Sequence, residues 1–304
     1  MKLDRYNGLF AATLTPMKSG GEIALDRIGP QVERLIEQGV AGLYVCGSTG
    51  EGVSLSTNER KAVALESIRA AAGRIPVLVQ VGHNSLAEAA DLAAHAAQHG
   101  AAGISATCPS YFKIGSVKVL VDSMKVVADA ARELAFYYYH MPSLTGNRIS
   151  MAEFLKVGGE SMPNLVGLKF TSTEVHEYQQ CVELDDHRFE VLWGVDEMLI
   201  AALTVGGKAA VGSTYNVATP LYRRLISAFE QGDLAKARQY QSQSIAFINI
   251  VVSYPFQSTL KHILNWQGAA LESHCRLPQQ ELTLEQITSL HSRLAAIGFF
   301  EWCN

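Results

Sequence analysis

The chain lacks most of the signatures that would assign it quickly. It has five cysteines, Cys46, Cys108, Cys181, Cys275 and Cys303, and no two of them form a C-x-x-C pair. An odd, scattered set excludes a disulfide framework and reads as buried free thiols in a reduced cytoplasmic protein. No run of like charges occurs, and the net charge of -4 provides no basic surface for nucleic acid. No secretory leader is legible, because MKLDRYNG carries charges where an apolar segment would begin. Nor is there a long hydrophobic run. The most apolar late stretch, Ile245 to Phe256, contains Asn249 and Ser253. It falls short of the ~20 residues that cross a bilayer and reads as a buried helix entering a turn at Pro255. Catalytic motifs with fixed spelling are missing too. There is no G-x-G-x-x-G opening the first unit, no Walker A lysine, no H-E-x-x-H and no G-x-S-x-G elbow.

What is present is an alternation. Short apolar runs at Leu9–Leu14, Gly42–Val45, Val77–Val81, Gly103–Ala106, Ala135–Tyr139, Val166–Lys169, Glu190–Trp193 and Ala209–Gly212 read as buried parallel strands. Between them lie helical patterns such as Ile28, Val32, Leu35, Ile36 and Leu221, Leu225, Ile226, Phe229. Eight βα units in series predict an α/β chain folded as a (β/α)8 TIM barrel. The barrel should occupy residues 1–232. A helical extension over 233–304, with helices near Leu234–Ser253, Ser258–Trp266 and Leu284–Ile297, should pack on it as part of one unit.

Active sites of such barrels lie at the carboxyl ends of the strands, so the residues closing each strand are the candidates. Strand 2 ends in CGSTGEG, where glycines bring backbone N–H groups and the hydroxyls of Ser48 and Thr49 together. That arrangement suits an anion, although a glycine turn capped by polar side chains explains it as well. Strand 6 places Lys169 at the end of Leu165-Val166-Gly167-Leu168. Burying an ammonium costs several kcal/mol or forces deprotonation, and a free amine can attack a carbonyl to give a Schiff base. The competing reading is a lysine that snorkels to the rim. Lys208 precedes its strand and Lys113 sits in a loop.

The strand-5 sequence AFYYYHMP raises the question of which tyrosine does chemistry. Side chains alternate along a strand, so Tyr137 and Tyr139 share the inner face and Tyr138 packs outward. Tyr139, at the rim beside Lys169, is the predicted proton relay, and Tyr137 fills a layer below. His140 points away from Tyr139 and reads as packing. Strand 7 ends in GVDE, Gly194 to Glu197. Asp196 and Glu197 diverge, which makes them acceptors for a hydroxylated ligand rather than an acid/base pair. Helix capping by Asp196 is the alternative. Strand 8 adds Ser213 and Thr214. His95 and His99 stand four apart on an outer helix without the glutamate of a zinc motif, so a solvated face accounts for them and no metal site is expected.

Taken together, GSTGEG, YYYHMPSLTG, GLKFTS, GVDE and VGSTYN, in this order at these strand ends, resemble the dihydrodipicolinate synthase and N-acetylneuraminate lyase family of pyruvate-dependent class I aldolases. The resemblance runs from Gly8 to about Trp266. It implies Lys169 as the Schiff-base lysine and Tyr139 as the catalytic tyrosine, oriented by Thr49. It also implies Ser48 and Thr49 on the pyruvate carboxylate, and Thr171, Gly194, Asp196, Glu197 and Ser213 on a sugar-derived part. Tyr111 falls where a tyrosine reaches a neighbouring subunit's site, in a homotetramer. No metal or dissociable cofactor is implied. Synthases of the family carry an arginine just after the tyrosine-x-x-proline motif. Here that stretch reads Pro142-Ser143-Leu144-Thr145-Gly146, and Arg148 stands too far along to replace it. The expectation is therefore reversible cleavage of N-acetylneuraminate to pyruvate and N-acetylmannosamine. Aldolases of 2-keto-3-deoxy sugar acids and a synthase-like condensation are the alternatives. A non-catalytic sugar-acid sensor is the alternative from another class.

Overall fold

The computed structural model describes residues 6–269 and 271–303 of the 304-residue chain. The first five residues, and Asn304 of the terminal FFEWCN segment, lie outside that range. The strands are β1 (Gly8–Ala12), β2 (Gly42–Val45), β3 (Val77–Gln80), β4 (Gly103–Ala106), β5 (Ala135–His140), β6 (Leu165–Phe170), β7 (Glu190–Trp193) and β8 (Ala209–Gly212). They pair in sequence order, all parallel, and β8 closes on β1. The predicted barrel is thus the observed one, with boundaries that differ by one or two residues at four strands.

The helices of the barrel wall are α1 (Ile28–Glu37), α2 (Thr57–Ala71), α3 (Leu86–Gln98), α4 (Val117–Asp129), a single turn α5 (Pro142–Thr145), α6 (Met151–Ser161), α7 (Val175–His187), α8 (Leu199–Thr204) and α9 (Tyr215–Glu230). After them come α10 (Leu234–Val251), α11 (Phe256–Trp266), α12 (Leu284–Ala296) and the short α13 (Phe299–Trp302). Capping residues set several starts. Ser56 and Glu59 make a reciprocal box at α2, and Thr283 and Gln286 make one at α12. Phe299 is buried and stacks on Phe247 of α10 at 4.4 Å, so the tail up to Cys303 is packed.

Alternation splits the core into two clusters. Phe10, Tyr44, Leu78, Tyr137, Tyr139, Leu192 and Val211 fill the bore. Phe136, Tyr138, Leu168 and Phe170 belong to the larger layer between strands and helices. Tyr138 lies 4.8 Å from the Phe154 ring of α6, and its hydroxyl accepts a bond from Asn147 Nδ2 at 2.9 Å. Tyr137 donates to Glu190 at the amino-terminal end of β7, and the Tyr6 ring stacks against it. The three tyrosines therefore face as alternation requires. Cys46, Cys108, Cys181 and Cys303 are buried and Cys275 half-buried, all as free thiols. Among the described residues no helix is long and apolar enough to cross a membrane.

Candidate active site

β5 and β6 pair with Tyr139 opposite Lys169, which brings the two side chains into the bore at one level. Lys169 is 4% exposed. Among the described residues no carboxylate ion-pairs with it. Its Nζ instead lies over the ring faces of Tyr44, at 4.0 Å, and Tyr139, at 4.1 Å. The two rings meet edge to face, 5.7 Å apart. In a desolvated site a ring face holds a cation by about 2 kcal/mol, so the rings can replace part of the lost hydration. Tyr44 is a residue the sequence reading passed over. Its signal was an aromatic at an inward register of β2, and its hydroxyl is held by Ser105 Oγ at 3.1 Å.

The other lysines weighed for this role are engaged or placed elsewhere. Lys113 Nζ donates to the carbonyls of Ser110 and Thr145. Lys208 precedes β8, at the opposite end of the barrel.

The glycine loop after β2 reaches both sides of the bore. Thr49 Oγ1 meets Ser213 Oγ at 2.6 Å, and Ser48 Oγ points to Met141 Sδ at 3.7 Å. Tyr139 donates to the same sulfur at 3.4 Å. Thr49 and Tyr139 thus have different hydrogen-bond partners. Thr49 is turned to β8, and Tyr139 shares an acceptor with Ser48. Thioether sulfur is a weak acceptor, so the phenol is only lightly held.

Asp196 and Glu197 do diverge. Asp196 is buried, and its Oδ2 accepts bonds from Thr214 N, at 3.0 Å, and Thr214 Oγ1, at 2.6 Å. A Cβ at position 212 would stand 2.0 Å from Asp196 Oδ1, so only glycine leaves room for this carboxylate. Burial pushes the Asp196 carboxyl above its ordinary value, against the Thr214 bonds and the Lys169 charge. Asp196 and Glu197 stand in the first turn of a short 3-10 segment, Asp196–Met198, whose capping position is Val195. Thr214 Oγ1 and Tyr222 OH, 2.7 Å apart, continue this network to Ser244 of α10. Glu197 takes the other direction, into a cavity of about 760 Å³ over the ends of β5, β6 and β7. Burial raises its carboxyl as well.

Thr171, Gly194 and Glu197 line that cavity, whereas Asp196 and Ser213 do not. Arg148 does line it, although its distance along the chain argued against that. The α5 turn folds the segment back over the rim. Tyr111 stands away from the bore, 80% exposed, with its ring against Phe112 at 5.1 Å. Among the described residues no three His, Cys, Asp or Glu side chains are grouped to hold a metal ion. His95 and His99 lie against each other, rings 4.3 Å apart.

His140 borders the same cavity but is 3% exposed, between Tyr138 and Phe170, and its Nδ1 has no partner. Burial pushes its pKa down to about 4. The unfolded chain, with a histidine near 6.5, then takes up a proton first as pH falls. Stability held above about pH 6.5 should drop by about 3 kcal/mol between there and pH 4 from this residue alone. Urea midpoints across that range should fall more steeply for the native protein than for His140→Asn. Parallel curves would refute the assignment.

A closed parallel barrel with a buried lysine, a phenol and hydroxyls gathered at the carboxyl ends of its strands has the architecture of a TIM-barrel enzyme. The comparisons with known proteins narrow the class. The model of the dihydrodipicolinate synthetase family matches residues 5–297, and the chain belongs to that family. It is 41% identical to the N-acetylneuraminate lyase of Rattus norvegicus, over 98% of this chain and 94% of that one. The solved Proteus mirabilis N-acetylneuraminate lyase superposes with a TM-score of 0.94 at 35% identity, covering 97% of this chain and 100% of the other. N-acetylneuraminate lyase (sialic acid aldolase) from Aliivibrio salmonicida gives 0.94 at 36% identity, with 98% of each chain covered.

Proposed function

We propose that this enzyme is a Schiff-base aldolase that reversibly cleaves N-acetylneuraminate to pyruvate and N-acetylmannosamine. The observation that carries the reading is Lys169, buried between two ring faces without a carboxylate partner and paired in register with Tyr139. Lys169 attacks the C2 ketone of the open-chain sugar acid and expels water to form an iminium. That cation draws the electrons of the C3–C4 bond into an enamine as the bond breaks. The proton of the C4 hydroxyl leaves through Tyr139, assisted by the substrate carboxylate. Protonation of the enamine at C3 and addition of water release pyruvate and the lysine. The iminium is itself the electron sink, so the mechanism requires no metal or dissociable cofactor.

In this reading Ser48 and Thr49, with the N–H groups of their loop, receive the pyruvate carboxylate. Thr171, Gly194 and Glu197 wall the sugar-derived part, Ser213 supports Thr49, and Asp196 holds the β8 rim in place. The barrel and the helices after residue 232 act as one unit, in line with the Asp196–Thr214–Tyr222–Ser244 network. Exposed Tyr111 and Phe112 support a homotetramer in which Tyr111 approaches a neighbouring site. Five free thiols fit a cytoplasmic location.

The test is pyruvate release from N-acetylneuraminate set against 2-keto-3-deoxygluconate. We expect kcat/KM to favour the first by about 100-fold or more, since a wall of polar groups rejects a ligand that leaves them unpaired. The reverse preference would move the assignment to keto-deoxy acids. A ligand-induced rise in Tm without turnover would make the protein a sensor.

A further inference from the structure

Glu51, in the same rim loop as Ser48 and Thr49, plays no part in the chemistry above, yet its side chain is 0% exposed. Its backbone is left-handed, with φ of 56°, and Cys46 at the other end of the loop has φ of 60°. A Cβ on Gly52 would lie 1.9 Å from the Cys46 carbonyl oxygen, so the loop closes tightly on itself. Non-glycine residues hold such angles only when their surroundings over-determine them.

Those surroundings come from the far end of the chain. Glu51 Oε1 pairs with Lys261 Nζ of α11 at 2.7 Å, and the lysine side chain is also 0% exposed. Lys261 donates further to His274 O at 2.6 Å, and Arg276 N donates to Glu51 Oε2 at 3.1 Å. The Arg276 guanidinium then clamps Glu59 and the carbonyl of Gly21. One turn before Lys261, Gln257 Nε2 reaches Ser48 O at 3.4 Å. One face of α11 thus touches the loop at both Ser48 and Glu51. Lys261 is the second buried lysine of the site region, and unlike Lys169 it has a carboxylate and a carbonyl as acceptors.

A buried ion pair is seldom the most stable filling for its volume, because desolvation offsets much of the attraction. Here it fixes a strained loop two residues from the hydroxyls that face the bore. We propose that Glu51 and Lys261 are positioning residues that hold the Ser48–Thr49 loop in the shape that receives the carboxylate of a 2-oxo acid. The inference rests on the reading of that loop as the pyruvate site. It assigns the helices after the barrel a part in substrate binding although none of their side chains does chemistry.

The experiment uses the full-length protein and pyruvate trapped with borohydride. The double variant Glu51→Gln/Lys261→Met replaces the charges with neutral groups of similar size. The pyruvate concentration for half-maximal trapping should rise about tenfold or more, as a misplaced binding group implies. KM for N-acetylmannosamine should stay within about twofold, since the sugar wall is untouched. A folded double variant with unchanged pyruvate dependence would overturn the proposal. Hydrogen exchange on the unaltered protein provides a readout independent of folding of the variant. Pyruvate should slow exchange at the Arg276 amide, which donates to Glu51, because coupling between two sites is reciprocal. An unchanged rate there counts against the pair. If the unaltered protein is not trapped at all, the pyruvate reading itself fails, and the proposal with it.

Discussion

Lys169→Ala is expected to lose turnover by about 10⁶-fold, the scale seen when the nucleophile of a covalent mechanism is removed. Borohydride with pyruvate should attach a three-carbon adduct to the native protein at Lys169 and leave the variant unlabelled, as peptide mass analysis would read. The alanine variant should still fold. Removing Lys169 breaks no side-chain ion pair, and the ring faces of Tyr44 and Tyr139 lose only a contact. Labelling at Lys261 or Lys113 in the native protein would refute the mechanism. Lys261 cannot easily substitute, because its nitrogen is committed to Glu51 and to a carbonyl.

Tyr139→Phe should lower kcat by about 10² to 10⁴-fold, the usual range for a positioned proton-transfer group. Pyruvate trapping should change little, since the ring face over Lys169 is retained and only the hydroxyl is lost. Tyr138→Phe is the internal control. It removes the acceptor of Asn147 in the outer layer and should cost about 1–2 kcal/mol of stability with kcat nearly intact. Steady-state kinetics and urea unfolding on both variants separate the two roles. If Tyr138→Phe were the one that stopped turnover, the assignment of faces along β5 would be wrong.

Much of this was readable in the chain because period-two alternation and strand order are local properties. The eight strands, the split of Tyr137, Tyr138 and Tyr139 and the nearness of Tyr139 to Lys169 all follow from them. Interactions that depend on how a loop turns were not readable. Thr49 looked like the partner of Tyr139, and its bond to Ser213 left no trace in the spacing. Arg148 looked remote until the α5 turn carried it to the cavity. Asp196 looked like a ligand acceptor, and that Thr214 would take one of its two oxygens could not be foreseen. Lys261 left a trace that could have been followed. It sits three residues before Leu264 on the apolar face of α11, where a charge needs a buried partner. The partner itself, 210 positions away, could not be found from spacing.

The base of the bore carries a consequence of its own. Tyr137, bonded to Glu190 and covered by Tyr6, stands with Phe10 and Val211 between Lys169 and the amino-terminal face. The barrel is therefore a well with one mouth, and everything that enters must depart by the same route. In the proposed reaction the half tethered to Lys169 is the deeper one. The sugar half must clear the mouth before pyruvate can follow, and in synthesis pyruvate must arrive first. If the proposed tether to Lys169 holds, the plug of aromatic rings imposes an order of traffic on a reaction whose chemistry would run in either direction.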